Sequence, residues 1–216
     1  MRLRDIRHPK DRLVALSDGV FAVAMTLMSI DVVTSSRGEL EGETLAQHLV
    51  GEWPVYTAYL IGFLTVLVCW INHQVVYEAV ETMNTGLVWI NGLQMALVAA
   101  VPMPTALLAE HLTDEGSQLA FSLYGVTFML MALSFFVTAS HIQRRGLAGG
   151  DDAAGVRRGL IRCYGLAVVW TVLCLVMCQF NLLAAIIMWA LMFAVFAFPL
   201  HFATFIARRQ AVDSAR

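Results

Sequence analysis

The residues able to do chemistry in this chain are few, and they sit where polar groups are costly. Ser17 and Asp18 stand at the head of an apolar run that continues from Gly19 past Ile30. An ionisable side chain inside such a run is expensive to desolvate, so it marks a functional or anchoring site. Arg12 lies six residues before Asp18, and its long side chain can turn toward the carboxylate or toward a polar boundary. Trp70 and His73 are three residues apart near the end of a second apolar run, and Trp89 and Asn91 lie early in a third. A carboxylate, a hydroxyl, an imidazole, a carboxamide and indole N–H groups at one depth can satisfy one another as a network. Asp18 with His73 could instead relay protons. Enzyme chemistry lacks a third group beside that pair. The six histidines show no His-x-x-x-His spacing for a metal. Cys69, Cys163, Cys174 and Cys178 lie in or at the ends of apolar runs and read as packing residues. Asp31, at the far end of the first run, reads as solvated. No cofactor is expected.

The elements that must hold these groups follow from composition. Hydrophobic types make up 59% of the 216 residues and charged types 14%, against roughly 25% charged in an ordinary soluble domain. That excess argues against disorder and against a water-soluble fold. The expected fold is all-α and polytopic, with six membrane helices over 13–33, 55–76, 86–109, 119–142, 160–178 and 182–206. Period-two alternation is absent, which excludes an outer-membrane barrel pattern. Pro102 and Pro104 are expected to kink or end the third helix, and Pro199 to bend the sixth. The first run is too long for a signal peptide and lacks a cleavage site, so it reads as a retained helix. The expected division is a tail over 1–12, a six-helix membrane domain over 13–206 and a tail over 207–216. The connection at 35–54 has room for a short amphipathic helix.

Charge placement sets the orientation. The net charge of −2 is uninformative, but 13 of the 14 Lys and Arg fall on one side of a six-span arrangement, and only Arg37 falls on the other. Lys and Arg favour the cytoplasmic side, so both termini are expected there, in a multi-pass protein of the cell membrane. No nucleic-acid partner is indicated.

The motif Arg12-Leu-Val-Ala-Leu16-Ser17-Asp18, followed by an apolar helix containing Thr26, resembles the Arg-x-x-x-Phe-Ser-Asp signature of the endosomal and lysosomal potassium channel family (transmembrane protein 175) and its prokaryotic relatives. Trp70-Ile-Asn-His73, Trp89-Ile-Asn91 and Pro102-Met-Pro104-Thr105 follow in the family's order, so the resemblance covers about half the chain. Leu16 replaces the usual Phe. The resemblance implies a six-helix subunit of a homotetramer, with the first helix lining a central pore and closing it with apolar rings. It implies a network of Arg12, Ser17, Asp18, Trp70, His73, Trp89 and Asn91 behind that helix.

Aligned on Ser-Asp, the constriction falls on Val23. Val23, Thr26, Leu27 and Ile30 share one helical stripe, and an apolar ring can block ions by dewetting. Asp18 lies five residues from Val23, about 140° around the helix, so it faces away from the stripe. The expected function is a potassium-permeable cation channel in the lipid bilayer. Its partners are potassium and other monovalent cations, the only metals expected, and these only in transit. Weak selectivity and proton permeability are both allowed for, because no Thr-Val-Gly-Tyr-Gly filter is present. The alternatives are a proton-coupled secondary transporter using Asp18 and His73, a membrane enzyme, or a structural scaffold. The transporter would be expected to show repeats or broken helices, and no internal repeat is visible.

Overall fold

The computed structural model of the chain describes residues 10–35, 44–149 and 154–196. Eight α-helices lie among them: α1 Lys10–Ser35, α2 Leu45–Gly51, α3 Trp53–Glu78, α4 Thr85–Ala100, α5 Pro102–His111, α6 Ser117–Arg145, α7 Ala154–Cys178 and α8 Leu182–Phe196. Five stretches are long and apolar enough to cross a bilayer: α1, α3, α4 with α5, α6, and residues 158–178 of α7. The sixth expected span is described only in part. Helix α8 has 15 residues, short of the about 20 a bilayer needs. Residues 197–206, with Pro199, lie outside the described residues, as do both expected tails except for residues 10–12. The basic residues Arg2, Arg4, Arg7, Arg37, Arg208, Arg209 and Arg216 lie there too.

Local chemistry explains the boundaries. Helix α1 begins at Lys10 with Asp11 in its first turn, where a carboxylate complements the helix dipole. Hydropathy placed the span's start at 13 because Lys10, Asp11 and Arg12 are charged. The Lys10 ammonium donates to Glu78 O at 3.0 Å and ties the start of α1 to the end of α3. Helix α2 is the short helix expected in the 35–54 connection, opened by a capping box of Thr44 and Gln47. Asn84 caps α4 by accepting from Leu87 N at 2.8 Å. The third span breaks at Val101, where Pro102 lacks an N–H and opens α5. Val101 O beside the break accepts both the Thr105 N–H at 3.2 Å and the Thr105 hydroxyl at 2.9 Å. Helix α6 ends on Arg144, Arg145 and Gly146, whose φ of 61° is the left-handed value a helix stop favours. In the α5–α6 loop, the His111 ring and the Gly116 N–H both bond the Asp114 carboxyl, at 2.8 and 2.7 Å, and hold it below the usual carboxylate range.

Helix α1 packs on α3, α4 and α5, while α6 bridges α4 and α5 to α7, and α8 leans on α7 and α3. The core joins Phe21, Met28, Val66, Leu87, Val98, Tyr124 and Tyr164. At Gly62, α3 lies close against α1 and α5. A Cβ there would lie 2.7 Å from Thr105 Cγ2 and 2.8 Å from Met28 Sδ. Gly62→Val is therefore expected to destabilise the fold by about 1–3 kcal/mol through overpacking. The check is a lowered unfolding temperature in detergent; an unchanged one would mean that α1, α3 and α5 have room to separate.

Candidate functional site

Helix α1 has two unlike faces. Ser17, Phe21, Ala24 and Met28 recur at helical spacing and are between 0% and 1% exposed, sealed against α3, α4 and α5. On the other side Val23, Leu27 and Ile30 are 57%, 43% and 51% exposed, and Thr26 is exposed among them. Leu16 extends the exposed side by two turns below Val23. The Thr26 hydroxyl turns back on its own helix, 3.0 Å from Ala22 O and 2.9 Å from Val23 O. Ser29 does likewise, donating to Thr26 O at 2.6 Å.

The polar residues behind α1 form two groups. In the first, Asn91 Nδ2 donates to Ser17 Oγ at 3.0 Å, and Ser17 Oγ donates to Leu13 O at 3.0 Å. Asn91 Oδ1 lies 2.9 Å from His73 Nε2. Since Asn91 Oδ1 can only accept, His73 carries its proton on Nε2, an assignment made from the network. Nδ1 of His73 is buried without a partner. The ring is stacked on Tyr77 at 4.3 Å between centroids and met edge-on by Phe21 at 5.5 Å. These contacts tie α1, α3 and α4 at one depth. In the second group, Asp18 Oδ1 accepts from Trp70 Nε1 at 2.8 Å and from Gln74 Nε2 at 2.6 Å.

Ser17, Asp18, Trp70, His73 and Asn91 thus come together, while Arg12 and Trp89 do not. Arg12 is exposed and forms no ion pair with Asp18; the carboxylate is met at Oδ1 by neutral donors from α3 instead. Trp89 is 77% exposed. Residues two apart point about 200° apart on a helix, so burying Asn91 turns Trp89 outward. The sequence reading missed Gln74, although it lies one turn from Trp70 on the same face of α3. It also missed Gln94, which is fully buried one turn beyond Asn91, with both amide atoms unpartnered. Asn72, bonded to Tyr164 OH at 3.2 Å, is a further buried polar contact, between α3 and α7. Among the described residues, no three His, Cys, Asp or Glu side chains converge as metal ligands would.

The comparisons with known proteins fall on this same region. Residues 12–102 match the family model described as endosomal/lysosomal potassium channel TMEM175. A potassium channel of Streptomyces collinus is 39% identical over 137 residues, covering 62% of this chain and 65% of that protein. A potassium channel of Chamaesiphon minutus is 38% identical over 124 residues, covering 57% and 61%. The chain thus spans a little under two thirds of the length of these curated relatives. The crystal structure of a lysosomal potassium-selective channel TMEM175 homolog from Chamaesiphon minutus superposes with a TM-score of 0.77 at 27% identity, over 88% of this chain and 97% of that one. The signature residues, the helical bundle that holds them and these relatives agree: the chain is similar to the TMEM175 family in sequence over residues 12–102 and in fold over most of its length.

Proposed function

We propose that this multi-pass membrane protein is one subunit of a potassium-permeable cation channel, a homotetramer with α1 of each copy lining a shared pore. The observation that carries the reading is the division of α1: its polar and bulky inner face is sealed, while Val23, Thr26, Leu27 and Ile30 are left uncovered in the single chain. Four copies of that stripe stack apolar rings around an axis. A narrow apolar ring excludes ions by dewetting, so widening it opens the pore. Thr26 interrupts the apolar series. With its proton turned onto backbone carbonyls, its oxygen lone pairs face the axis and form a ring of acceptors for a partly dehydrated cation.

The two polar groups behind α1 act as an anchor in this reading, because Asp18 points away from the stripe and is bonded to α3. A proton-coupled transporter built on Asp18 and His73 gains no support: Asp18 bonds Trp70 and Gln74, and His73 bonds Asn91. The names of the two bacterial relatives support potassium as the permeant ion, and the placement of Lys and Arg supports cytoplasmic termini. The test is cation flux from liposomes containing the purified protein, with potassium, sodium and protons compared. Passive potassium flux that follows the gradient is expected. No flux under any ion condition, or saturable flux coupled to protons, overturns the proposal.

A further inference from the structure

We infer that an acyl chain of a bilayer phospholipid occupies a slot between α3, α5, α6 and α8, on the side of the bundle away from the exposed α1 stripe. The slot is a crevice of about 440 Å³ with Trp53, Ile61, Thr65, Leu108, Trp189 and Phe193 on its walls. That volume falls within the ~300–1,000 Å³ of sites that hold small apolar ligands. It shares Thr65, Trp189 and Phe193 with a smaller pocket of about 60 Å³ that continues inward past Asn72 and Tyr164.

Three observations identify the occupant. The slot follows one face of α3 from Trp53 to Thr65, about 18 Å at the helical rise, so it runs along the membrane-spanning axis as lipid chains do. Its walls carry few polar groups, those of Thr57, Thr65, Tyr124 and Trp189: the Thr65 hydroxyl lies 2.6 Å from Ile61 O and 3.1 Å from Tyr124 OH, and the Trp189 indole N–H, a donor only, is buried without a partner. Internal water needs two to four polar partners, and a single unpartnered indole N–H does not supply them along a slot of this length. An apolar void of this size is itself unfavourable, because its lining loses packing contacts. The third observation is the mouth. Trp53 is 50% exposed at the start of α3, where an indole suits the headgroup boundary. Ala190 on α8 is exposed at the slot's side. Hydrocarbon is the filler that fits an apolar slot within a bilayer, and a chain can slip in past Ala190.

The test uses the full-length protein in phosphatidylcholine nanodiscs doped with phosphatidylcholine carrying a photoreactive diazirine on one acyl chain. After illumination, adducts are mapped by peptide mass spectrometry. Adducts are expected to concentrate on the slot-lining peptides of α3, α5 and α8. Ala190→Trp, which fills the mouth, is expected to abolish them there. Ile187→Trp, on an exposed part of α8 outside the slot, is expected to retain them and to report that α8 is folded. Adducts spread evenly over the outward faces of all helices, or unchanged by Ala190→Trp, overturn the inference. So does an absence of slot adducts in the unsubstituted protein, as when another segment of the chain or a second copy fills the space.

Discussion

Shortening Val23 to alanine is expected to raise potassium flux through the reconstituted protein by on the order of tenfold, equivalent to about 1.4 kcal/mol off the barrier to passage. The argument begins with exposure. Val23 is the most exposed of the three large apolar residues on the stripe, at 57%, and contributes nothing to the packing of its own subunit's core. Its truncation therefore leaves the fold intact, unlike a change at Phe21 or Ala24 on the sealed face. In the proposed tetramer the substitution removes two methyl groups from each of four side chains at one level. The opening widens and wets more readily, and dewetting is what excludes the ion there. The reverse change, Val23→Phe, is expected to suppress flux below the original level. Flux from liposomes, normalised to the amount of tetramer, checks both. Equal flux in all three proteins would remove Val23 from the constriction. The same outcome with Leu27→Ala and Ile30→Ala would remove the whole stripe from the pore.

Much of this arrangement could be read from residue order, and what escaped had physical causes. Hydropathy marked the long helices, because a span must be apolar for about 20 residues. It could not place the start of α1, since Lys10 to Arg12 are helical but charged. The break in the third span was legible in Pro102, which cannot donate an N–H. The two-sidedness of α1 was legible because Ser17 and Asp18 precede an otherwise uniform run and fix its angle. The partners of Asp18 were less so. Arg12 looked like the natural counter-charge, yet a long cation near a membrane boundary is better solvated outward, and α3 supplies neutral donors at closer range. Gln74 was accessible in principle, being one helical turn from Trp70. Trp89 was assigned by motif, although its spacing of two from Asn91 already placed the two on opposite sides of α4. Gln94 gave no sequence signal beyond being polar in an apolar helix.

Replacing Asp18 with alanine is expected to be the most damaging single change to assembly. It leaves Trp70 Nε1 and Gln74 Nε2 without the acceptor they share. A hydrogen bond to a charged group is worth about 1.5–3 kcal/mol, and because both bonds are part-buried the pair falls at the lower end, about 3 kcal/mol together. The loss is felt at the start of α1, where Ser17 is bonded to Asn91 one residue away. A loosened α1 no longer presents its stripe at a fixed angle, so the yield of the proposed tetramer in detergent is expected to fall along with unfolding temperature. Asp18→Asn keeps an Oδ1 acceptor in the same place and is expected to restore more than half of the lost stability. Trp70→Phe removes one donor while keeping a ring, so in a double-mutant cycle with Asp18→Ala the two changes should be coupled by about 1 kcal/mol, within the range for residues in direct contact. Additive effects would mean that the indole bond contributes nothing. A proton relay through Asp18 makes a different demand: Asn could not replace the titrating carboxylate, and proton flux would vanish in Asp18→Asn while assembly stayed normal. Rescue of both assembly and potassium flux by Asn identifies Asp18 as the group that positions the pore helix, and loss of flux in a well-assembled Asn variant rules that role out.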